Sequence, residues 1–168
     1  MRMLLILFIV LLAGCGYHTP GTSGDWVGGE ARLLYIQLFD NQTTEPYLEN
    51  FITDALVAEL SRSRVLELTE DPEAADLLLS GVVNDFRSKA LSYGTTDRIT
   101  NYRATMKISA RLLNGKSSEV LWRENLKRSE DYLAAVNKNL QLEGERLSAR
   151  EVSKRLAEDI HAGLLNSF

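Results

Sequence analysis

The sequence predicts an α+β fold, a two-layer sandwich in which two amphipathic helices pack on one face of a mixed, mostly antiparallel sheet, in the order β-α-β-β-β-β-α. Three observations predict it. A strand–helix–strand unit comes first, a long stretch with strict two-residue alternation follows it, and an amphipathic helix comes last. The chain has 168 residues, of which 45% are hydrophobic and 25% charged, so it can bury one sizeable core.

The first unit consists of two strands with a helix between them. Residues 32–39 are nearly all apolar and rich in strand formers, which is typical of a strand buried on both faces. Residues 40–44 are polar and predict a turn, and residues 65–69 predict a second, short strand. Strands joined by a helical crossover at this spacing are expected to run parallel.

The helix between them is predicted from about Tyr47 to Arg62. Thr44 is the expected N-cap, and Pro46 suits the first turn. Apolar residues recur at helical spacing on one face, namely Leu48, Phe51, Ile52, Ala55, Leu56 and Leu60.

The middle of the chain predicts a three-stranded antiparallel meander. A long strand is expected over residues 76–90, and a polar loop over 91–98. From Tyr102 the residue types alternate between apolar and polar, as a half-buried strand requires. Apolar side chains are Tyr102, Ala104, Met106, Ile108, Ala110 and Leu112, and both helices are expected to pack on this face.

A hairpin and a last strand complete the meander. Asn114-Gly115 is a strong hairpin signal. The strand after it is expected over residues 119–127, with Val120, Trp122 and Leu126 on one face.

The last element is an amphipathic helix. Ser148 and Glu151 have the spacing of a capping box, which predicts that the helix begins there and ends near Asn166. Residues 129–144 have no clear period. The apolar stripe of the helix consists of Val152, Leu156, Ile160 and Leu164.

The first 30 residues predict a lipid anchor. Residues 1–14 have the short positive start, apolar run and small residues of a signal peptide. Leu12-Ala13-Gly14-Cys15 has the form of a lipobox, so Cys15, the only cysteine, is expected to carry the lipid. Gly16, where Asp would favour inner-membrane retention, favours the outer membrane. Residues 15–30 are then a flexible tether, and 31–168 a single domain.

Catalytic and metal-binding motifs are missing from the sequence. It has no phosphate-binding loop, no nucleophile elbow and no pair of histidines at metal-ligand spacing. The prediction is therefore a protein that is not an enzyme and has no cofactor beyond the covalent lipid. A formal net charge of −4 also argues against nucleic acid as a partner.

A basic row is the candidate binding surface. Arg103, Lys107 and Arg111 share the polar face of the predicted central strand, and cations of the flanking strands lie near them in some registers. These are Arg87, Lys89, Arg123, Lys127 and Arg128. Such a face could bind phosphate groups. The alternative is an ordinary solvated face whose charge Glu119 and Glu124 balance.

Several stretches resemble the LPS-assembly lipoprotein family, LptE. They are Cys15-Gly16-Tyr17-His18, residues 34–41 with Thr43 and Glu45, residues 75–81, Tyr102-Arg103 and the terminal helix. These stretches extend over almost the whole chain after the signal peptide, and their order and spacing carry the resemblance. The resemblance implies two helices on a mixed sheet, which agrees with the fold predicted from the residues.

The resemblance also implies a function. Members of this family lie at the outer membrane inside the large β-barrel LptD, which they plug and help to assemble, and the pair inserts lipopolysaccharide in the outer leaflet. Lipopolysaccharide is bound through basic residues near the loop joining the two long central strands. Here that loop offers Arg98, with Arg103 just beyond it, and Lys138 is a further candidate. Lys107 and Arg111 join these candidates from the basic row and do not match family positions one for one.

A second interpretation stays open. Strand–turn–helix stretches like residues 34–60 also occur in periplasmic regulatory lipoproteins of the curli-secretion or peptidoglycan-synthase-activator type. Loss of surface lipopolysaccharide on depletion would favour the first interpretation, and a defect in wall synthesis would favour the second.

Overall fold

A computed structural model describes residues 30–94 and 98–166. The predicted signal peptide, Cys15 and nearly all of the tether lie outside the described residues. The elements in chain order are β1 (Leu33–Ile36), β2 (Asp40–Asn41), α1 (Leu48–Leu60), β3 (Glu67–Leu68), β4 (Leu77–Tyr93), β5 (Ile99–Asn114), β6 (Val120–Leu133) and α2 (Lys138–Asn166).

All strands belong to one mixed sheet. Its order is β3-β1-β4-β5-β6, and β2 pairs with β4 beyond the end of β1. The strand β1 runs parallel to β3 and to β4, whereas β4, β5 and β6 are antiparallel to one another. The predicted α+β class, the parallel first unit and the antiparallel meander are therefore confirmed.

The first strand is shorter than predicted. It ends at Ile36, and three irregular residues follow, of which Phe39 enters the core with 1% of its surface exposed. The ring of Phe39 lies against Gly81 on β4, where a β-carbon would collide with it. Beyond this point Asp40 and Asn41, predicted as part of a turn, form β2 with Val82 and Val83.

The helix α1 matches its predicted apolar face but not its predicted cap. Tyr47 stands at the N-cap position with φ of 69° and without a side-chain capping bond, so the assignment of this role to Thr44 is wrong. The preceding turn is organised by Asn41, whose Nδ2 donates to the Glu45 carbonyl at 2.8 Å, while its Oδ1 accepts from the Thr43 amide at 3.0 Å. These local hydrogen bonds extend the turn, so that the helix begins at Leu48, one residue later than predicted.

The meander strands are longer than predicted because pairing to neighbours extends them. The strand β4 continues to Tyr93, and β6 continues through residues with no strand period to Leu133. A register shift between Leu112 and Leu113 turns Val120 outwards, where it is 43% exposed. The prediction that Val120 shares a face with Trp122 is therefore wrong.

The helix α2 begins ten residues before the predicted capping box. Asn137 precedes it, and its Oδ1 accepts from the Asn139 amide at 2.8 Å. Ser148 lies in the middle of the helix and donates to the Glu145 carbonyl at 2.7 Å, so it is not an N-cap. Packing of the first turns of α2 against β6 explains the early start, since Gly144 approaches the ring of Tyr132.

One core joins the two layers. Both helices pack on the same sheet face, as predicted, and their buried leucines meet Met106 and Ile108 of β5. Among the described residues, no helix combines the length and apolar composition that crossing a membrane requires.

Candidate functional site on the outer face of the sheet

The site lies on the face of β4, β5 and β6 that points away from the helices, here called the outer face. Residues of β5 alternate as predicted, since Ala104, Met106 and Ile108 are buried while Arg103 and Lys107 are exposed. Arg111 is exposed on the same face. Successive members of this row are four residues apart, which separates them by about 13 Å along the strand.

The strand register sets cations directly opposite one another. Lys89 of β4 pairs with Arg103, Lys127 of β6 pairs with Lys107, and Arg123 of β6 pairs with Arg111. We call these the three opposed cation pairs. Like charges directly opposite each other in a sheet destabilise it, so anions near these side chains are strongly favoured.

One of the pairs is partly neutralised by Asp131. Arg103 donates to both carboxylate oxygens of Asp131, at 2.6 and 2.8 Å. This hydrogen-bonded pair lowers the pKa of Asp131 and raises the pKa of Arg103. The guanidinium of Arg103 is thus already occupied on one side, although about half of its side-chain surface remains exposed.

A second carboxylate, Asp85, serves two cations. It lies 2.8 Å from Arg87 Nε and 3.5 Å from Lys107 Nζ. Desolvation raises the pKa of Asp85, but the hydrogen bonds and positive charges of Arg87 and Lys107 outweigh it and leave the pKa below its ordinary value. Asp85 therefore stays ionised at neutral pH.

Other cations of the outer face lack such a partner. Within the described part of the chain, Lys89, Lys127 and Arg123 make no ion pair, and Arg111 donates to the Ser80 hydroxyl at 3.0 Å. Their charge is consequently available to a ligand.

Two depressions concentrate these charges. The first, with a volume of about 360 Å³, is lined by one carboxylate and five cations, which are Asp85, Arg87, Lys89, Arg103, Lys107 and Lys127. The second has a similar volume and contains Arg111 and Arg123 beside Asp40 and Ser80. We call the first the basic depression.

The predicted residues divide between these places. Arg103 and Lys107 meet in the basic depression, and Arg111 lies in the second one. Arg98 is exposed at the β4–β5 hairpin tip, about 16 Å from Arg103 along the strand, so the structure does not bring it into either. Lys138 is exposed at the start of α2.

Three charged residues lie elsewhere than the sequence suggested. Arg128 pairs with Met106, points to the helix side and binds Asp159 with two contacts of 2.6 Å. Glu124 pairs with Ala110 on that same side, and Glu119 lies in the hairpin loop. The carboxylates that moderate the outer face are instead Asp85 and Asp131, and only the strand register places them beside its cations.

The chemistry of this face is that of an anion-binding surface. Lysine and arginine side chains on a rigid sheet can bind phosphate or carboxylate groups through charge-assisted hydrogen bonds. Within the described ranges 30–94 and 98–166, no cluster of histidine and carboxylate ligands could hold a metal ion.

Comparison with known proteins agrees with this fold. No curated protein sequence matches the chain. Among solved structures, a Caulobacter crescentus protein described as a lipoprotein has a TM-score of 0.60 and 17% identity over 77% of this chain and 88% of that one. The PelC dodecamer subunit of Paraburkholderia phytofirmans has a TM-score of 0.56 and 16% identity over 86% and 94%.

A third structure is the rare lipoprotein B of Shewanella oneidensis. Its TM-score is 0.54 and its identity 12%, over 81% of this chain and 96% of that one. At these identities the three structures show a shared fold.

The model of the lipopolysaccharide-assembly family LptE matches residues 31–164, which is most of the chain and nearly all of its described part. The chain therefore belongs to the LptE lipopolysaccharide-assembly family.

Proposed function

We propose that this chain is an outer-membrane lipoprotein that plugs and helps to assemble the LptD barrel. The lipid on Cys15 holds it on the periplasmic side, and it assists insertion of lipopolysaccharide in the outer leaflet without a catalytic step of its own. Family membership over residues 31–164 supports this role. A rigid two-layer body with a single core suits a plug, because it offers fixed surfaces to a surrounding wall.

We further propose that the outer face binds lipopolysaccharide through its phosphate groups. The observation that carries this proposal is the set of three opposed cation pairs. Phosphates placed between opposed cations relieve their repulsion and gain charge-assisted hydrogen bonds. The basic depression is the favoured place, since Lys89 and Lys127 have no carboxylate partner in the described part of the chain.

Binding of purified lipopolysaccharide tests the second proposal. A Lys107→Glu/Lys127→Glu variant should bind at least about tenfold more weakly at low salt, since it replaces one opposed pair by two carboxylates. Raising the salt concentration should weaken binding of the unchanged protein.

The matched control is Arg64→Glu/Lys116→Glu, which changes the net charge equally at exposed sites away from the outer face. Unchanged binding by the Lys107→Glu/Lys127→Glu protein, with its circular dichroism spectrum intact, would contradict the proposal. The variant Arg98→Glu then shows whether the hairpin tip contributes separately.

The barrel partnership has its own test. Affinity purification of the tagged chain from detergent-solubilised outer membranes should recover LptD, identified by mass spectrometry. Depletion of the chain should reduce lipopolysaccharide at the cell surface. Recovery of a peptidoglycan synthase instead, with normal surface lipopolysaccharide, would favour a regulatory lipoprotein.

A further inference from the structure

A groove lies on the opposite side of the molecule from the outer face, between the two helices. It has a volume of about 700 Å³ and is here called the helix groove. Its α1 wall contributes Tyr47, Phe51 and Ala55, and its α2 wall contributes Arg146, Arg150 and Lys154. The helix groove shares no residue with the outer face, so it needs an explanation of its own.

The two walls of the helix groove differ in chemistry. The α1 wall combines aromatic and small side chains with Asn50 and the carboxylates Asp54 and Glu59. Tyr47 is 55% exposed at its end. The cations of the α2 wall recur every four residues and form one stripe along the helix. An occupant that presents apolar surface to the aromatic rings and negative charge to the stripe would complement both.

The cations of the stripe can accept new partners. The guanidinium of Arg150 lies 4.9 Å above the Phe51 ring, and such stacking keeps the planar group extended with N–H donors along its edge. Lys154 makes no ion pair within the described residues. Arg146 reaches only the exposed Glu143 at 3.4 Å, a type of surface pair that contributes little.

The carboxylates of the helix groove are partly occupied. Glu59 contacts His161 Nδ1 at 2.9 Å and Arg62 at 3.8 Å, so its charge is shared. Asp54 remains on the α1 wall. With Arg62 included, the lining has four cations and two carboxylates, and its net charge is positive.

The spacing of the stripe matches that of alternate side chains in an extended protein segment. Four residues of helix rise by about 6 Å, and alternate residues of a strand are about 6.6 Å apart. Carboxylates on alternate residues of an extended segment would thus meet successive cations. Side chains of transmembrane barrel strands that face the lumen alternate in this way.

From these observations we infer that the helix groove docks an extended acidic segment of the partner barrel. The segment's carboxylates bind Arg150 and Lys154, with Arg146 as the next member of the stripe, and an apolar side chain between them packs against Phe51 and Tyr47. This inference rests on the proposed partnership with the barrel. It assigns different partners to the outer face and to the helix groove, namely lipid phosphates and protein carboxylates.

The first experiment uses the intact complex from outer membranes. A carbodiimide joins lysine amines to carboxylates that touch them, without a spacer. We expect mass spectrometry to find Lys154 coupled to an Asp or Glu of the barrel. Coupling of Lys154 to a second copy of this chain or to a lipid phosphate, or no coupling of Lys154 to the barrel while other lysines react with it, would overturn the inference.

The second experiment compares variants in the same purification. Arg150→Glu/Lys154→Glu should retain at least about tenfold less barrel than the unchanged chain. The control Arg64→Glu/Lys116→Glu has the same net charge and should retain it fully. Equal recovery with both variants would overturn the inference and leave the partnership standing. Failure of the unchanged chain to recover a barrel would overturn the partnership and the inference together.

Discussion

At the scale of single residues, Gly81 has the least space for a side chain among the glycines that the structure describes. A β-carbon there would collide with the Phe39 ring and lie 2.7 Å from the Ser109 carbonyl. We expect Gly81→Ala to destabilise the domain by about 1–3 kcal/mol, because Phe39 cannot move without opening the core. Urea unfolding measures this.

The control for that variant is Gly94→Ala. Its new β-carbon would meet chiefly the terminal methyl group of Thr100, at 3.2 Å, which can shift. The lost flexibility of the unfolded chain acts alike in both variants and favours the folded state. A similar loss of stability in both variants would therefore contradict contact with Phe39 as the specific cause.

Asp76 is a residue whose ionisation should stabilise the fold. Its Oδ2 accepts from the backbone amides of Arg32 at 3.2 Å and of Leu33 at 3.3 Å, and these bonds lower its pKa from the ordinary 3.8. Since the folded-state pKa is the lower one, the unfolded chain takes up the proton more readily. The stabilisation is complete above the ordinary pKa and is lost as the pH falls through the folded-state value.

The matching variant is Asp76→Asn. It should be less stable than the unchanged chain at pH 7, and the difference should shrink as the pH falls below about 3.8. Urea unfolding at a series of pH values measures both curves. A difference that stays constant across this range would exclude the carboxylate charge as its cause.

At the scale of secondary-structure elements, the sequence pattern and the structure disagree about where α2 begins. The capping-box spacing predicts that Ser148 begins the helix, whereas the structure places Asn137 at its beginning. Asn137→Ala should therefore cost about 1 kcal/mol, because it removes an N-cap acceptor. Ser148→Ala should change stability by less than about 0.5 kcal/mol, since alanine suits a helix interior.

Thermal unfolding of both variants measures this contrast. The opposite order, with Ser148→Ala the more harmful change, would mean that the helix starts where the capping box indicates. Hydrogen exchange of residues 138–147 would then be fast, whereas a formed helix protects them.

At the scale of the whole molecule, the two helices and the sheet share one hydrophobic core. Leu156 of α2 is fully buried in it, so Leu156→Ala should destabilise the domain by about 2–5 kcal/mol in a single cooperative transition. The control Leu147→Ala makes the same change at a site of the same helix that is 54% exposed, and should have little effect. Two separate transitions would contradict a shared core.

The candidate site was predictable only in part. Alternation along β5 placed Arg103, Lys107 and Arg111 on one face, because side-chain direction in a strand follows from position alone. Their neighbours depended on register, which joins residues far apart in sequence. Lys127 and Arg128 are adjacent in the chain, yet the first meets Lys107 on the outer face and the second meets Asp159 of α2.

Local periodicity was enough to predict the α+β class, the apolar faces of both helices and the polar face of the meander. The tertiary structure decided where β1 ends, where α2 begins, which cations lie opposite one another and which residues line the helix groove. Those features depend on long-range contacts such as Phe39 with Gly81 and Tyr132 with Gly144. A local pattern indicates which face of an element is apolar. Which residues pack against that face depends on the fold of the whole chain.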